Sequence, residues 1–113
     1  MIRICKDINN EALSLFGLST PNSQLIIYNG IIVGIIDYKV TDEKVKIDYI
    51  TIDDKHRKQG IARQVMEMII NENKGKYLYG DSLPGVACRF WESLGVEFDE
   101  DEDDYLTPFH LEC

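Results

Sequence analysis

Cysteine is scarce in this chain of 113 residues: Cys5, Cys88 and Cys113 are odd in number, widely spaced and form no Cys-x-x-Cys pair. That excludes a disulfide framework and a zinc site built on paired thiolates, so reduced thiols and no metal are expected. Cys88 reads either as a small apolar filler within a helix or as a nucleophile, and the sequence places no histidine beside it. Long apolar runs are missing too. No stretch approaches the roughly 20 residues of a membrane span, and Met1-Ile2-Arg3-Ile4-Cys5 runs into Lys6 and Asp7 without the pattern of a secretory leader. No membrane contact and a cytoplasmic location are the expectations. The phosphate-loop pattern Gly-x-x-x-x-Gly-Lys-[Ser/Thr] is absent, which sets aside a nucleotide triphosphatase of that type. Positive charge is also short: 20 acidic against 12 basic residues give a net charge of −8, whereas a nucleic-acid partner calls for a basic face.

What is present describes one globular domain, 1–113, with 44% hydrophobic residues and no repeat or linker. The acidity is local. Asp99-Glu100-Asp101-Glu102-Asp103-Asp104 holds six of the acidic residues, and the rest of the chain is close to balanced. This run reads as a solvated hairpin tip or as a field that concentrates a cationic partner.

The periodicities predict a strand over 2–5 and a helix over 8–16, with Ile8, Ala12, Leu15 and Phe16 on its apolar face. Gly17 and Thr20-Pro21-Asn22-Ser23 end that helix. Strands over 24–28 and 31–40 flank Asn29-Gly30, a strong hairpin signal, and a turn at 41–44 leads into a third strand over 45–52. Gly34 is expected to mark a bulge or a close contact. In the third strand Lys46, Asp48, Ile50 and Ile52 share one face by simple alternation. A helix from about 59 to 73 carries Ile61, Val65, Met68 and Ile69 on its stripe, with Ala62 and Met66 beside it. The strand that follows, 76–80, should lie parallel to the one before that helix by right-handed crossover. Asp81 or Ser82 is expected to cap a last helix with Pro84 in its first turn and Val86, Ala87, Phe90, Trp91 and Leu94 inward. Segments 96–98 and 106–111 close as a hairpin around the acidic run.

The stretch His56-Arg57-Lys58-Gln59-Gly60-Ile61-Ala62-Arg63 is the candidate site. It joins a strand to a helix, and a helix start offers unpaired N–H groups and about half a positive charge to an anion. Gly60 lacks a Cβ and so admits close approach to the main chain. The alternative is a relieved tight turn with solvated charges.

Arg57-x-x-Gly60-x-Ala62 resembles the acyl-coenzyme A signature [Arg/Gln]-x-x-Gly-x-[Gly/Ala] of the GNAT superfamily of N-acetyltransferases. Ile50-Thr51-Ile52 is similar to the family strand that pairs with the pantetheine arm. Ala87-x-x-Phe90-Trp91-x-x-x-Gly95 is similar to its later helix. The resemblance implies an α+β, three-layer fold: a mixed, mostly antiparallel central sheet with a parallel strand pair splayed beyond Ile52 and helices on both faces. It implies acetyl-CoA as acyl donor, with Ile50, Thr51 and Ile52 on the pantetheine amides and Arg57, Lys58, Gln59, Gly60, Ile61, Ala62 and Arg63 around the diphosphate. The acceptor is then a small-molecule or peptide amine, cationic if the acidic run steers it, and a homodimer is compatible. Asp48 is the carboxylate available as base, or else an edge-strand aspartate paired with Lys46, which itself stands at a common family position for the base. Trp91 stands where the family usually has a tyrosine that protonates the leaving thiolate, and it reads either as a hydrogen-bond donor there or as a core anchor. Pro84 replaces a frequent asparagine. Besides direct transfer to an amine, a non-catalytic acyl-CoA-binding module on the same fold fits these departures.

Overall fold

The computed structural model describes residues 1–17, 20–82, 85–99 and 106–113. The strands form one seven-stranded mixed sheet in the order β1-β2-β3-β4-β5-β7-β6, namely β1 Ile2–Lys6, β2 Ser23–Tyr28, β3 Ile31–Val40, β4 Lys44–Ile52, β5 Tyr77–Ser82, β6 Glu97–Phe98 and β7 Thr107–Glu112. The helices are α1 Glu11–Phe16, α2 Ile61–Glu72 and α3 Val86–Ser93, with a 3₁₀ turn over Asp54–His56. No helix among the described residues is long and apolar enough to cross a membrane. By contact the chain divides into two compact units, Met1–Tyr38 with Tyr49–Met66 and Lys39–Asp48 with Glu67–Cys113.

In the first unit β1, β2 and β3 form an antiparallel meander. Asn29 (φ 51°) and Gly30 (φ 82°) both take the left-handed conformation, and Tyr28 pairs directly with Ile31. The hairpin expected at Asn29-Gly30 therefore forms with a two-residue turn whose twist matches its strands. Helix α1 is shorter than expected. The Asp7 carboxylate accepts the N–H groups of Glu11 (2.7 Å) and Ala12 (2.9 Å), so the first turn is capped from position 7 and the helix starts at Glu11. Ile8 falls outside it and is 86% exposed; of the expected apolar face Ala12 is buried, Phe16 packs beside it and Leu15 is exposed. Gly17, at φ 72°, closes the helix by donating to the Leu13 carbonyl.

Gly34 answers both expectations made of it. Ile26 pairs with Gly34 but Ile27 with Ile32, so Val33 is an extra residue on β3, a β-bulge. The Val33 carbonyl accepts the N–H of Asp53 at 2.7 Å. A Cβ on Gly34 would stand 2.3 Å from the Thr51 carbonyl oxygen and 2.9 Å from Ile52 Cδ1. Because backbone cannot yield as a side-chain tip can, Gly34→Ala is expected to cost about 1–3 kcal/mol by overpacking. That should lower the thermal midpoint by at least about 5 °C, measured by circular dichroism. An unchanged midpoint would show that β4 is free to move at Thr51.

In the second unit β4 and β5 are parallel, as right-handed crossover requires, with the register Lys44↔Tyr77 to Ile47↔Gly80. The divergence expected beyond Ile52 comes earlier. Among the described residues the ladder ends at Ile47↔Gly80, and β4 runs five residues further to Ile52. Gly80 sits on that last rung because a Cβ there would meet the Ile47 carbonyl at 2.7 Å and the Phe109 ring at 2.9 Å. Asp81 and Ser82 do not cap α3. They extend β5 and pair with Pro108 and Thr107 of β7, while Gly85 (φ 83°) occupies the N-cap without a side-chain bond. Along α2 the stripe is Ile61, Val65, Met66 and Ile69; Met66 is fully buried and Met68 only half-buried, the reverse of their expected weight. Pro84 and most of the acidic run, with Tyr105, lie outside the described residues.

His110 on β7 ties down the β6 side. Its Nδ1 lies 3.0 Å from Asp99 and its Nε2 3.3 Å from Glu97. The hydrogen bond to Asp99 raises its pKa above 6.5, with both acidic charges adding to the shift and desolvation opposing it. A raised folded-state pKa contributes stability that is complete below the unfolded value and lost as pH rises through the folded one. Between about pH 6 and pH 8 the unfolding midpoint should fall, and His110→Gln should flatten that slope. An equally steep slope in the variant would assign it to other groups.

Candidate functional site

Residues 50–63, which carry all the expected cofactor contacts, fall within the first unit; Asp48 and Trp91 belong to the second. Burial alternates strictly along β4 from Lys44 to Asp48, then Tyr49, Ile50 and Thr51 are half-buried and Ile52 buried. The simple alternation expected for the whole strand thus breaks after Asp48. Beyond Ile52, Asp53 caps the 3₁₀ turn by accepting the Lys55 N–H at 3.1 Å. His56 Nδ1 lies 3.8 Å from Asp53 Oδ2 and makes no hydrogen bond among the described residues.

The turn into α2 combines two left-handed residues with the start of a helix. Lys58 (φ 66°) and Gly60 (φ 75°) both take positive φ, and a Cβ built on Gly60 meets nothing within 4 Å. Gly60 is there for its backbone conformation and leaves open space before it. Its carbonyl accepts the Gln64 N–H at 3.0 Å, the first bond of α2, so the N–H groups of Ile61 and Ala62 stand in the first turn ahead of that bond. Left-handed residues alternating with extended and helical ones in this way aim main-chain N–H groups into a concavity that suits phosphate oxygens.

Arg57 reaches back to the end of β4. Its Nε donates to the Ile52 carbonyl at 2.9 Å and its Nη1 lies 2.5 Å from Asp54 Oδ1. Both side chains are exposed, so the ion pair is worth no more than about 1 kcal/mol. The guanidinium instead braces the turn against the end of β4, and it engages one of the carbonyls expected to meet the pantetheine amides. Sequence reasoning did not find this brace, because the i−5 reach to a main-chain oxygen leaves no pattern. Nor did it find the cleft beside it, ≈ 350 Å³, walled by Leu15 and Phe16 of α1, Ile32, Thr51, Ile52, Asp53, Asp54 and Arg57.

In the second unit the Asp48 side chain is 40% exposed and lies 3.6 Å from Lys46 Nζ. Trp91 is 6% exposed, stacked on Phe109 with centroids 4.3 Å apart and edge-on to Phe90 at 4.9 Å. Cys88, on the same helix, lies 3.4 Å from Ser82 Oγ.

Residues 21–97, well over half the chain, match the model of the acetyltransferase (GNAT) domain. The chain therefore belongs to the GNAT family of acetyltransferases. Among curated proteins none matches the sequence significantly. The fold is similar to that of the ribosomal-protein-S18-alanine N-acetyltransferase from Escherichia coli (TM-score 0.71, 15% identity, 97% of this chain and 91% of that one). Arabidopsis thaliana Naa50, solved with the bisubstrate analogue CoA-Ac-MVNAL, gives TM-score 0.69 at 14% identity over 99% of both chains. A GNAT family acetyltransferase from Elizabethkingia anophelis with acetyl-CoA bound gives 0.69 at 16% identity over 99% and 98%. At these identities the likeness is one of fold.

Proposed function

We propose that residues 1–113 act as one N-acetyltransferase domain, cytoplasmic, moving the acetyl group of acetyl-CoA to a primary amine by direct attack. The observation that carries this reading is the turn at Lys58–Gly60: two positive φ angles, open space over Gly60 and the start of α2 converge on one point. The main-chain N–H groups over 58–63 would hold the diphosphate. Ile50, Thr51 and the N–H of Ile52 would hold the pantetheine amides as an added strand does, with Arg57 fixing the geometry of the turn. Asp48 is the carboxylate that would draw the proton from the acceptor through solvent, in competition with Lys46. Trp91 would supply a packed wall and an N–H donor in place of a titrating phenol.

The acceptor class we propose is a peptide or small-molecule amine carrying positive charge, a reading supported by the acidic run at 99–104. One neighbour named above is a ribosomal-protein-S18-alanine N-acetyltransferase and another was solved with the bisubstrate analogue CoA-Ac-MVNAL, which favours including peptide amines among the acceptors. The test is thiol release from acetyl-CoA with an alanine-starting peptide, a lysine-rich peptide and spermidine. Transfer to at least one, faster for the cationic probes at low salt, is expected. The burial of Trp91 against Phe109 favours a second reading, a module that binds acetyl-CoA without transfer. Tight binding with no thiol release to any probe would establish that one instead.

A further inference from the structure

One buried carboxylate is left over by the site just described. Asp37 of β3 is 2% exposed. Its Oδ2 accepts a hydrogen bond from the Thr20 hydroxyl, while its buried Oδ1 has no hydrogen-bond partner among the described residues. An unsatisfied buried polar atom costs about 1–3 kcal/mol, so a purely structural pin would be better served by an apolar pair. Thr20 leads onward. The Thr20 N–H donates to Ser23 Oγ at 2.9 Å, the two hydroxyl oxygens lie 3.4 Å apart, and Ser23 Oγ is 2.7 Å from the Tyr49 phenolic oxygen. Pairing of Ser23 with Asp37 across β2 and β3 sets this line. All four residues lie in the first unit. Tyr49 is half-buried against Ala12, Leu25 and Ile35, and the other titratable group placed in that cluster is Cys5.

The position of Tyr49 gives the line a use. With the diphosphate at 58–63, a pantetheine arm laid back along β4 from Asp53 spans about four residues, roughly 13 Å at strand rise, which brings the thioester end to Tyr49. We propose that Tyr49 takes the proton of the acceptor ammonium and that Asp37, reached through Ser23 and Thr20, is the group that finally holds it. The inference rests on the acetyl-transfer reading and puts Tyr49 and Asp37 in place of Asp48, which is exposed and lies 3.6 Å from Lys46, as the proton path of that site.

The step balances. The ammonium N–H passes its proton to the Tyr49 oxygen as the phenolic proton moves to Ser23 Oγ, the Ser23 proton to Thr20 Oγ1, and the Thr20 proton to Asp37 Oδ2. The free amine attacks the acetyl carbon, the C–S bond breaks, and the second nitrogen proton goes to the departing sulfur as the amide forms. Asp37 then returns one proton to solvent by the same line. Tyr49 is the residue that meets the substrate, and Asp37 acts through it.

Two measurements test this. Full-length protein labelled with ¹³C at tyrosine Cζ and aspartate Cγ is titrated by NMR as wild type, Tyr49→Phe and Ser23→Ala. The expected result is that either substitution moves the Asp37 midpoint by at least about half a pH unit and that wild-type Tyr49 Cζ reports the Asp37 step. An Asp37 titration identical in all three overturns the proposal. In the thiol-release assay with a lysine-rich peptide, Tyr49→Phe and Asp37→Asn should lower kcat by about 10²-fold or more and displace the acidic limb of the pH profile, with acetyl-CoA affinity unchanged. If Asp48→Asn removes that limb and Asp37→Asn does not, the proton goes to Asp48 and the line is only structural. A wild type that binds acetyl-CoA but releases no thiol overturns the transfer reading and this role with it, and intact NMR coupling distinguishes that outcome from a broken line.

Discussion

Gly60→Glu is expected to weaken acetyl-CoA binding by about a hundredfold or more while leaving the protein folded. A Cβ at this position meets no heavy atom within 4 Å, so the new stem has room, and on the proposed reading its carboxylate would compete with the diphosphate for the turn. Each repulsive pair at about 4 Å costs between about 1 kcal/mol in water and 4 kcal/mol near a protein surface, and three such pairs exceed the roughly 2.7 kcal/mol of a hundredfold change even at the lower figure. Part of any loss will come from the backbone, because φ at Gly60 is 75° and a side chain there carries roughly 1–2 kcal/mol of strain. Gly60→Asn separates the two contributions, since asparagine tolerates the left-handed region and adds no charge. Calorimetry on the three proteins should rank them glycine, asparagine, glutamate. If folded Gly60→Glu binds acetyl-CoA as wild type does, the diphosphate lies elsewhere and the assignment of 58–63 fails.

The legible part of this molecule is what depends on local pattern. Asn29-Gly30 requires two left-handed residues in succession, and few sequences other than such a pair supply them, so the hairpin and the limits of β3 were readable to the residue. The strand-turn-helix around Gly60 was readable for the same reason. The cap of α1 was not. Asp7 lies four residues before the helix it caps, and apolar spacing at Ile8 suggested a turn of helix that the cap forbids. Asp81 and Ser82 look like cap residues, but pairing with β7 outweighs that preference, and a partner strand about 25 residues away leaves no local mark. The hydroxyl line from Tyr49 to Asp37 was hidden for a similar reason: its four members come from three separate segments and share no spacing. The brace of Arg57 on Ile52 matters most. The arginine of the signature bonds main chain at the end of β4, a contact that a motif read as a list of charges does not reveal.

Trp91→Ala is expected to cost about 3–5 kcal/mol, the range for removing a large aromatic from a packed core, against the roughly 5–15 kcal/mol of a typical domain. The indole is 6% exposed, lies flat on Phe109 and meets Phe90 edge-on, so its removal opens a cavity and strips two aromatic contacts at once. The Phe109 ring in turn lies against Gly80, the last rung of the β4–β5 ladder. Loss of the indole should therefore loosen the point where the parallel pairing ends. Urea unfolding checks this through a lower midpoint, and an unchanged slope would show that the denatured state is not the source. Trp91→Phe and Trp91→Tyr keep most of the ring and should each cost less than half as much. They also decide what the position does for catalysis. If the indole N–H supports the leaving sulfur, phenylalanine should lower kcat and tyrosine should restore it with an alkaline limb in the pH profile; equal kcat for both would make Trp91 a core anchor and leave proton handling to β4.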